Sequence, residues 1–298
     1  LIIFSQVDTA WVRRYNGPGN YYDYASDIDV DNYGNIYVTG YSYGSGTNYD
    51  YCTIKYNANG NELWVRRYNG PVDTVDQAYA IAVDNYGNMC IRDSSYGANT
   101  YFDYCTIKYD ANGNELWVRR YNGPGNDWAY AIAVDNYGNV YVTGKSEGSG
   151  TSSYDYCTIK YDANGNELWV RRYNGPGNYW DDGRAIAVDI YGNVYVTGGS
   201  YGISCGYDYC TIKYDSLGNE LRVRRYNGPG NSNDYAYDIA VDNQGNVYVT
   251  GYSWGSGTYD DYCTIKYDAN GNELWVRRYD GPGNGYDDAH ALAVDNSG

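Results

Sequence analysis

A repeat of 52 or 53 residues runs through the chain and constrains its fold more than any other feature. The pentapeptide Trp-Val-Arg-Arg-Tyr begins at Trp11, Trp64, Trp117, Trp169 and Trp275, and arginine replaces the tryptophan at Arg222. Successive copies are 53, 53, 52, 53 and 53 residues apart. A period of this length is typical of repeat architectures in which each copy forms one supersecondary unit.

Each repeat contains four short strand-like runs separated by turn residues, seen most clearly in the third unit at 131–134, 140–143, 157–161 and 168–173. The first run is apolar on both faces, and polarity rises toward the fourth. This gradient is expected when a four-stranded sheet extends from a crowded axis to a wet rim. The pattern predicts an all-β protein, a β-propeller of four-stranded blades. A β-solenoid would need shorter coils, and a β-sandwich would need no fixed period.

The phase of the repeat predicts about six blades. Five full periods separate Trp11 from Trp275, and a further first strand follows at 289–294. We expect 11–15 to act as the outer strand of an incomplete sixth blade, closed by both ends of the chain. Residues 7–298 are predicted to form a single propeller domain, truncated at its C-terminal end. Residues 1–6 are interpreted as a signal-peptide remnant or as a first strand. Five blades, or more than six, remain open.

Composition excludes several function classes. The chain carries 43 Tyr, 8 Trp and 38 Gly and has a net charge of −16. Nucleic acids and anionic membranes require clustered Lys and Arg, so neither is an expected partner. No run of 18 apolar residues occurs, so membrane insertion is not expected. We expect a monomer that is secreted, extracellular or at the cell surface.

One motif within each repeat resembles a known family. The sequence Ala-Val-Asp-Asn-Tyr-Gly-Asn-Val-Tyr-Val-Thr-Gly at 133–144, with its copies, is similar to the bacterial β-propeller repeat called SBBP. It resembles the NHL propeller repeat more loosely. The resemblance implies a secreted or surface-exposed propeller, in a family without a general assigned activity.

Several residues are of types that form disulfides, bind metals or act in catalysis, but their positions in the repeat argue against those roles. Five of the seven cysteines occupy one position in successive units and are too far apart to pair with one another. Cys205 and Cys210 flank a loop, so a disulfide between these two is left open. The Asp-rich turns lack the ligand series of an EF-hand, so we expect no metal or other cofactor, with calcium as a minor alternative. His290 is the only histidine, and it is interpreted as structural.

One segment breaks the repeat. At 89–94 the second unit reads Met-Cys-Ile-Arg-Asp-Ser in place of the expected Val-Tyr-Val-Thr-Gly. The replacement places Arg92 in a buried strand, where an unpaired charge is costly. We interpret the segment as a chimeric join in an environmental sequence, with genuine drift as the alternative.

Differences between the copies are concentrated in two loop sets, those before the first strand and those between the second and third strands. Alternate strand ends point the same way, so both sets are expected on one face. Their Tyr, Trp, Ser, Gly, Asn and Asp content is typical of recognition surfaces, although free drift of duplicated loops is the alternative. The predicted ligand-binding residues are Tyr21, Tyr22, Trp128, Tyr179, Trp180, Tyr235, Trp254 and Tyr286.

Two functional hypotheses follow. The first is a non-enzymatic recognition or structural propeller whose loops bind a glycan or a protein partner, with no catalytic residues assigned. The second is a propeller lyase or glycosidase that uses carboxylates at the axis, with or without calcium.

Overall fold

The computed structural model describes residues 10–72, 74–96, 102–148, 153–203 and 206–295, so the predicted segment at 1–6 lies outside the described residues. The regular structure in this part of the chain consists of twenty β-strands in five antiparallel sheets. In each sheet the four strands lie in sequence order. The predicted all-β architecture of four-stranded blades is confirmed. No long apolar helix of the kind that crosses a bilayer occurs in the described residues.

The blades are numbered along the chain. Blade 1 contains β1 (Asp23–Val30), β2 (Ile36–Tyr43), β3 (Tyr49–Tyr56) and β4 (Glu62–Tyr68). Blade 2 contains β5 (Ala78–Val83), β6 (Met89–Tyr96), β7 (Phe102–Tyr109) and β8 (Glu115–Tyr121). Blade 3 contains β9 (Asp127–Val134), β10 (Val140–Glu147), β11 (Tyr154–Tyr161) and β12 (Glu167–Tyr173). Blade 4 contains β13 (Asp181–Val188), β14 (Val194–Tyr201), β15 (Tyr207–Tyr214) and β16 (Glu220–Tyr226). Blade 5 contains β17 (Asp234–Val241), β18 (Val247–Trp254), β19 (Asp260–Tyr267) and β20 (Glu273–Tyr279).

Hairpin turns built on an aspartate connect the first strand to the second in each blade. In blade 3, Asp135 Oδ1 accepts hydrogen bonds from the amides of Tyr137 and Asn139, both at 2.9 Å. Its Oδ2 accepts from the Asn139 side chain at 2.7 Å and from the Tyr141 hydroxyl at 2.9 Å. Gly138 adopts φ 77°, which glycine reaches without steric cost. The carboxylate therefore serves the turn itself, as expected for an Asx turn.

Successive blades are joined by the same contacts at each boundary. The indole of Trp117 donates to the carbonyl of Ala163 at 3.1 Å, and Arg119 Nε donates to Gly165 at 2.5 Å. The buried hydroxyl of Tyr104 donates to the carbonyl of Cys157 at 3.1 Å. Because each blade repeats these residues, each boundary buries a similar apolar cluster.

The burial gradient differs from the sequence expectation. The second and third strands, not the first, are the most deeply buried: six residues of β10 and six of β11 are buried, whereas most of β9 is only half-buried. First strands of neighbouring blades contact one another around the axis. They line the channel there, and this leaves one of their faces accessible.

The predicted partial units at the two ends of the repeat array occupy repeat-like positions. The Trp11 indole donates to Ala58 at 3.1 Å, as the equivalent Trp64 donates to Ala111 at 3.2 Å. At the other end, the Leu292 amide donates to Asp238 Oδ2 at 2.7 Å. Neither segment is paired in a sheet among the described residues. The structure thus has five complete blades, close to the predicted six.

The face of blade 1 that lies away from blade 2 is open. Ile28 on β1 is 61% exposed, whereas its counterparts Ile81 and Ile239 are 6% exposed. Ile28, Val38 and Cys52 contribute to a cavity of about 260 Å³ on this face.

The segment that breaks the repeat fits the fold. Met89, Cys90 and Ile91 are buried in β6, and the buried Arg92 donates to the carbonyl of Ala129. Its guanidinium also lies 5.7 Å from the Tyr79 ring centroid. Arg92 therefore has partners in the structure. The chimeric join stays a prediction.

Candidate binding site at the loop face

The two variable loop sets lie together on one face, which we call the loop face. In blade 4 the Gly177 amide donates to the carbonyl of Tyr201 at 3.1 Å, and the Tyr201 amide donates to Trp180 at 3.2 Å. Blade 5 has the equivalent bonds from Gly230 to Trp254 and from Trp254 to Asn233. The opposite ends of the blades carry the Asx turns, and we call that side the turn face.

A half-buried arginine bracket supports the loop face in each of several blades. In blade 3, Arg172 donates to the Ser146 hydroxyl at 2.5 Å, to the Ser146 carbonyl at 2.8 Å and to Asp155 at 3.0 Å. The neighbouring Asp127 accepts a 2.6 Å bond from the Gly123 amide. Burial raises the pKa of Asp127 to about 6. The bracket fixes the ends of three strands and the loop entering the blade.

The eight predicted binding residues differ in accessibility. Tyr21, Tyr22, Tyr179, Trp180 and Tyr286 are exposed, and Trp128 and Trp254 are half-buried. The structure contradicts the prediction that Tyr235 is an exposed loop residue. It lies within β17, is buried, and donates its hydroxyl to Asp182 of blade 4. A side chain committed to an interblade hydrogen bond is a structural support.

Aromatic rings form a continuous line across the loop face from blade 2 to blade 5, which we call the aromatic belt. Neighbouring ring centroids along it are 5.1–5.7 Å apart, within the range of favourable aromatic pairs. In order, the belt contains Phe102, Trp128, Tyr154, Trp180, Tyr179, Tyr201, Tyr207, Tyr235 and Tyr237. Tyr21, Tyr22 and their neighbours form a separate cluster on blade 1.

A β-bulge in the first strand of each blade adds one residue near the loop face. The extra residues are Ser26, Tyr79, Tyr130, Arg184 and Tyr237. Bulges re-aim side chains and occur often beside functional sites. Because first strands are closest to the axis, these side chains converge at the mouth of the channel. Sequence reasoning missed them, since a two-residue period does not reveal one inserted position.

Lys145 of β10 lies inside a group of aromatic rings at this mouth. Its Nζ is 4.9 Å from the ring centroids of Trp128 and Tyr154, 5.6 Å from that of Tyr130 and 5.8 Å from that of Trp180. These distances are within the range of cation–π attraction. Tyr41 and Tyr252 occupy the equivalent position in blades 1 and 5.

Arg184 is the second cation of the mouth. Its guanidinium lies 4.2 Å from the Tyr130 ring centroid, so Lys145 and Arg184 share that ring. It also pairs with Asp182 at 2.8 Å and donates to the Tyr235 hydroxyl at 3.1 Å. These contacts hold the guanidinium in one place.

The far end of the belt is acidic. Burial, together with the negative charge of Asp288 and Asp234, raises the pKa of Asp260 to about 6. His290 lies 5.0 Å from the Tyr237 ring. Within the described ranges, no three His, Cys, Asp or Glu side chains are arranged to hold a metal ion.

The carboxylates nearest the axis are engaged by the backbone. Asp27 accepts from the Ile81 amide at 3.0 Å, and Asp29 accepts from the Val83 amide at 2.8 Å. Burial raises the pKa of Asp29 and of Asp238. These side chains join the first strands of successive blades.

The repeated cysteines are buried free thiols, and burial raises the pKa of Cys157 to about 12. Cys210 is likewise a buried free thiol. Cys205 lies outside the described residues, so its pairing, which the sequence left open, stays a prediction. A thiol with such a pKa is neutral at pH 7 and packs as a small apolar group.

Comparison with known proteins identifies the repeat. A family model described as the SBBP β-propeller repeat matches residues 10–47, 116–150, 168–203 and 223–257. An uncharacterised WD repeat-containing protein of Acanthamoeba polyphaga mimivirus is 30% identical over 108 residues, which cover 30% of this chain and 8% of that relative. The chain therefore spans less than a tenth of that relative's length.

Solved structures share the fold at low sequence identity. The Pan2 WD40 domain of Neurospora crassa is 10% identical with a TM-score of 0.54, over 86% of this chain and 66% of that one. The β-propeller domain of the trilobed protease of Pyrococcus furiosus, described as having an open velcro topology, is 10% identical with a TM-score of 0.50. That match covers 86% of this chain and 71% of the protease domain. Together with the five blades, these matches show that the chain is a β-propeller protein, four segments of which match the SBBP repeat.

Proposed function

We propose that the protein is a non-enzymatic recognition module, secreted or displayed at the cell surface, whose loop face binds a carbohydrate. The observation that carries this proposal is the aromatic platform formed by Tyr179 and Trp180. Their rings are stacked at an interplanar angle of 9° with centroids 5.7 Å apart. They remain 49% and 42% exposed.

Contacts within blade 4 hold the platform in place. The Trp180 carbonyl accepts from the Tyr201 amide, and the Tyr179 ring packs edge-on against Tyr201 at 5.1 Å. Preorganised rings lose little conformational entropy on binding, which favours affinity. An exposed ring pair that is already ordered is therefore suited to receive a flat ligand.

A sugar ring fits this surface better than a protein side chain does. It offers an apolar C–H face to the rings and a rim of hydroxyls to polar neighbours. Protein hot spots are typically pockets enclosed by surrounding contacts, whereas this platform is open. The engagement of Asp27 and Asp29 by backbone amides gives no support to a lyase or glycosidase that uses those carboxylates.

The test is binding to a glycan array, followed by measurement of affinity for each glycan bound. We expect Trp180→Ala to weaken binding at least tenfold, equivalent to about 1.4 kcal/mol. The matched control is Tyr191→Ala, an exposed aromatic of the same blade on the turn face, which should leave affinity unchanged. Absence of any bound glycan, or equal affinity of the two variants, would contradict the proposal. Capture of a protein through Trp180 in place of a glycan would replace it.

A further inference from the structure

The basic residues of this chain occupy repeat positions, with few exceptions. Five of the six lysines lie in copies of Thr-Ile-Lys-Tyr on the third strand of a blade, and Lys145 is the sixth. Most arginines belong to the Arg-Arg pairs of the fourth strands, whereas Arg92, Arg184 and Arg222 do not. Lys145 and Arg184 are thus two departures from the repeat, and both contact the Tyr130 ring.

The environment of Lys145 differs from that of the repeat lysines. Lys160, for example, lies 5.0 Å from one aromatic ring and donates to the carbonyl of Ser216 at 2.9 Å. In the described part of the chain Lys145 makes cation–π contacts only, with neither a hydrogen bond nor an ion pair to a protein oxygen. An ammonium group has three donors. Those of Lys145 are therefore open to a ligand.

Arg184 differs from Lys145 in being held by its neighbours. Its contacts with Asp182 and the Tyr235 hydroxyl fix its position. The Lys145 ammonium group shares the Tyr130 ring with this fixed cation. It is adjacent to the platform because its Nζ lies 5.8 Å from the Trp180 ring centroid.

We propose that Lys145, assisted by Arg184, binds the carboxylate of an acidic sugar residue stacked on the Trp180 platform. This inference rests on the proposed carbohydrate binding and names the class of glycan. A carboxylate completes the hydrogen bonding of the ammonium group in a partly desolvated site, where charge-assisted bonds are strong. With a net charge of −16, the chain repels polyanions in general, so selection depends on this local pair of cations.

The experiment compares acidic polysaccharides with their own carboxyl-reduced forms at 0.15 M salt. The probes are polygalacturonate, alginate and hyaluronate, together with the glycans bound on the array. We expect the wild-type protein to prefer an acidic form at least tenfold. Lys145→Met should remove that preference and leave affinity for the reduced form within twofold. Wild-type affinity should fall with rising salt, and Lys145→Met should abolish that dependence.

The matched control is Arg222→Trp, which removes one positive charge on a fourth strand and restores the residue found in the other repeats. It should keep the preference for the acidic form. Melting curves establish that each variant is folded, and Lys145→Gln repeats the test if Lys145→Met is not. Trp180-dependent binding of acidic and reduced forms with equal affinity overturns this inference and leaves the proposed function standing. Failure of every glycan and polysaccharide to bind overturns both.

Discussion

The turn face and the loop face are formed at opposite ends of the same strands, and they differ in whether their residues repeat from blade to blade. On the turn face, blade after blade presents an Asx turn, such as that of Asp135, whose polar atoms are satisfied within the turn. On the loop face, the residues change between blades, the rings contact each other, and the Lys145 ammonium lacks an oxygen partner in the described structure. One face thus repeats a turn whose polar atoms are satisfied internally, whereas the residues of the other vary between blades, as the proposed binding function requires.

The two faces also differ in how they hold carboxylates. On the loop face, burial raises the pKa of Asp127 and of Asp181 to about 6. On the turn face, hydrogen bonds from the side chain and amide of Asn219 lower the pKa of Asp215, and bonds from Asn272 do the same for Asp268. Protons are therefore taken up by the two faces in different pH ranges.

The largest expected effect comes from breaking the arginine bracket under the loop face. Arg172→Met removes donors to Ser146 and Asp155 and leaves a poorly solvated carboxylate without its partner. Loss of the charge-assisted hydrogen bonds of this half-buried arginine costs about 3 kcal/mol in total, and urea denaturation would measure it. Arg171→Met is the matched control, because Arg171 bonds the backbone of the next blade at Gly218 and should cost about 1 kcal/mol. Equal losses would contradict a special role for the bracket.

A smaller effect is expected on the turn face. Asp135→Ala removes the acceptor of four hydrogen bonds in the turn and should lower the free energy of unfolding by about 2 kcal/mol. Asp135→Asn keeps one acceptor oxygen, so its loss should be intermediate. Chemical denaturation followed by tryptophan fluorescence measures both. If Asp135→Ala were neutral, the turn face would not depend on its carboxylates.

The next largest effect is expected in the pH dependence of stability, in which the two faces differ. The folded-state pKa values of Asp127 and Asp181 lie above those of the unfolded chain, so their contribution is present at low pH and is lost as pH rises through about 6. Asp215 and Asp268 have lowered values, so their contribution is lost as pH falls below the ordinary range of aspartate.

Thermal melts between pH 3 and pH 8 should therefore show greatest stability near pH 4–5, with a decline toward pH 7. The Asp127→Asn, Asp181→Asn double variant should flatten that decline. A wild-type curve that rises steadily from pH 4 to pH 7 would show that the loop-face carboxylates do not control it.

The smallest effect is expected for exposed rings on either face. Tyr191→Ala on the turn face removes a side chain that is 76% exposed and should change the free energy of unfolding by less than about 0.5 kcal/mol. Trp180→Ala on the loop face loses packing against Tyr154 and Tyr179 and should cost about 1 kcal/mol. Differential scanning calorimetry would resolve the two; a larger loss for Tyr191→Ala would reverse the comparison.

The sequence predicted the framework better than the site. Turn residues and the repeat located all four strands of blade 3, but β10 continues to Glu147, past the predicted end at 143. Its added residues, Gly144 to Glu147, include no hydrophobic side chain, so hydrophobicity did not mark them. The expected burial of the first strand was wrong because that strand borders the channel.

The site was predicted in part. Exposed aromatics such as Trp180 could be identified from differences between the copies. Tyr235 could not be distinguished from them, since its burial depends on Asp182 in another blade. Arg184 was missed because its position in the structure depends on a β-bulge. The sequence could nevertheless have marked it as a candidate site residue, since it is a basic residue outside the repeat positions.

The bulge in each first strand has a consequence for engineering. The inserted residue is additional to the ladder, so its side chain can be exchanged with little change to strand pairing. Five blades supply Ser26, Tyr79, Tyr130, Arg184 and Tyr237 to the same opening. A combinatorial library restricted to these positions would alter the chemistry of the opening, with one varied residue from each blade; Tyr130 and Arg184, which contact each other, would be varied together.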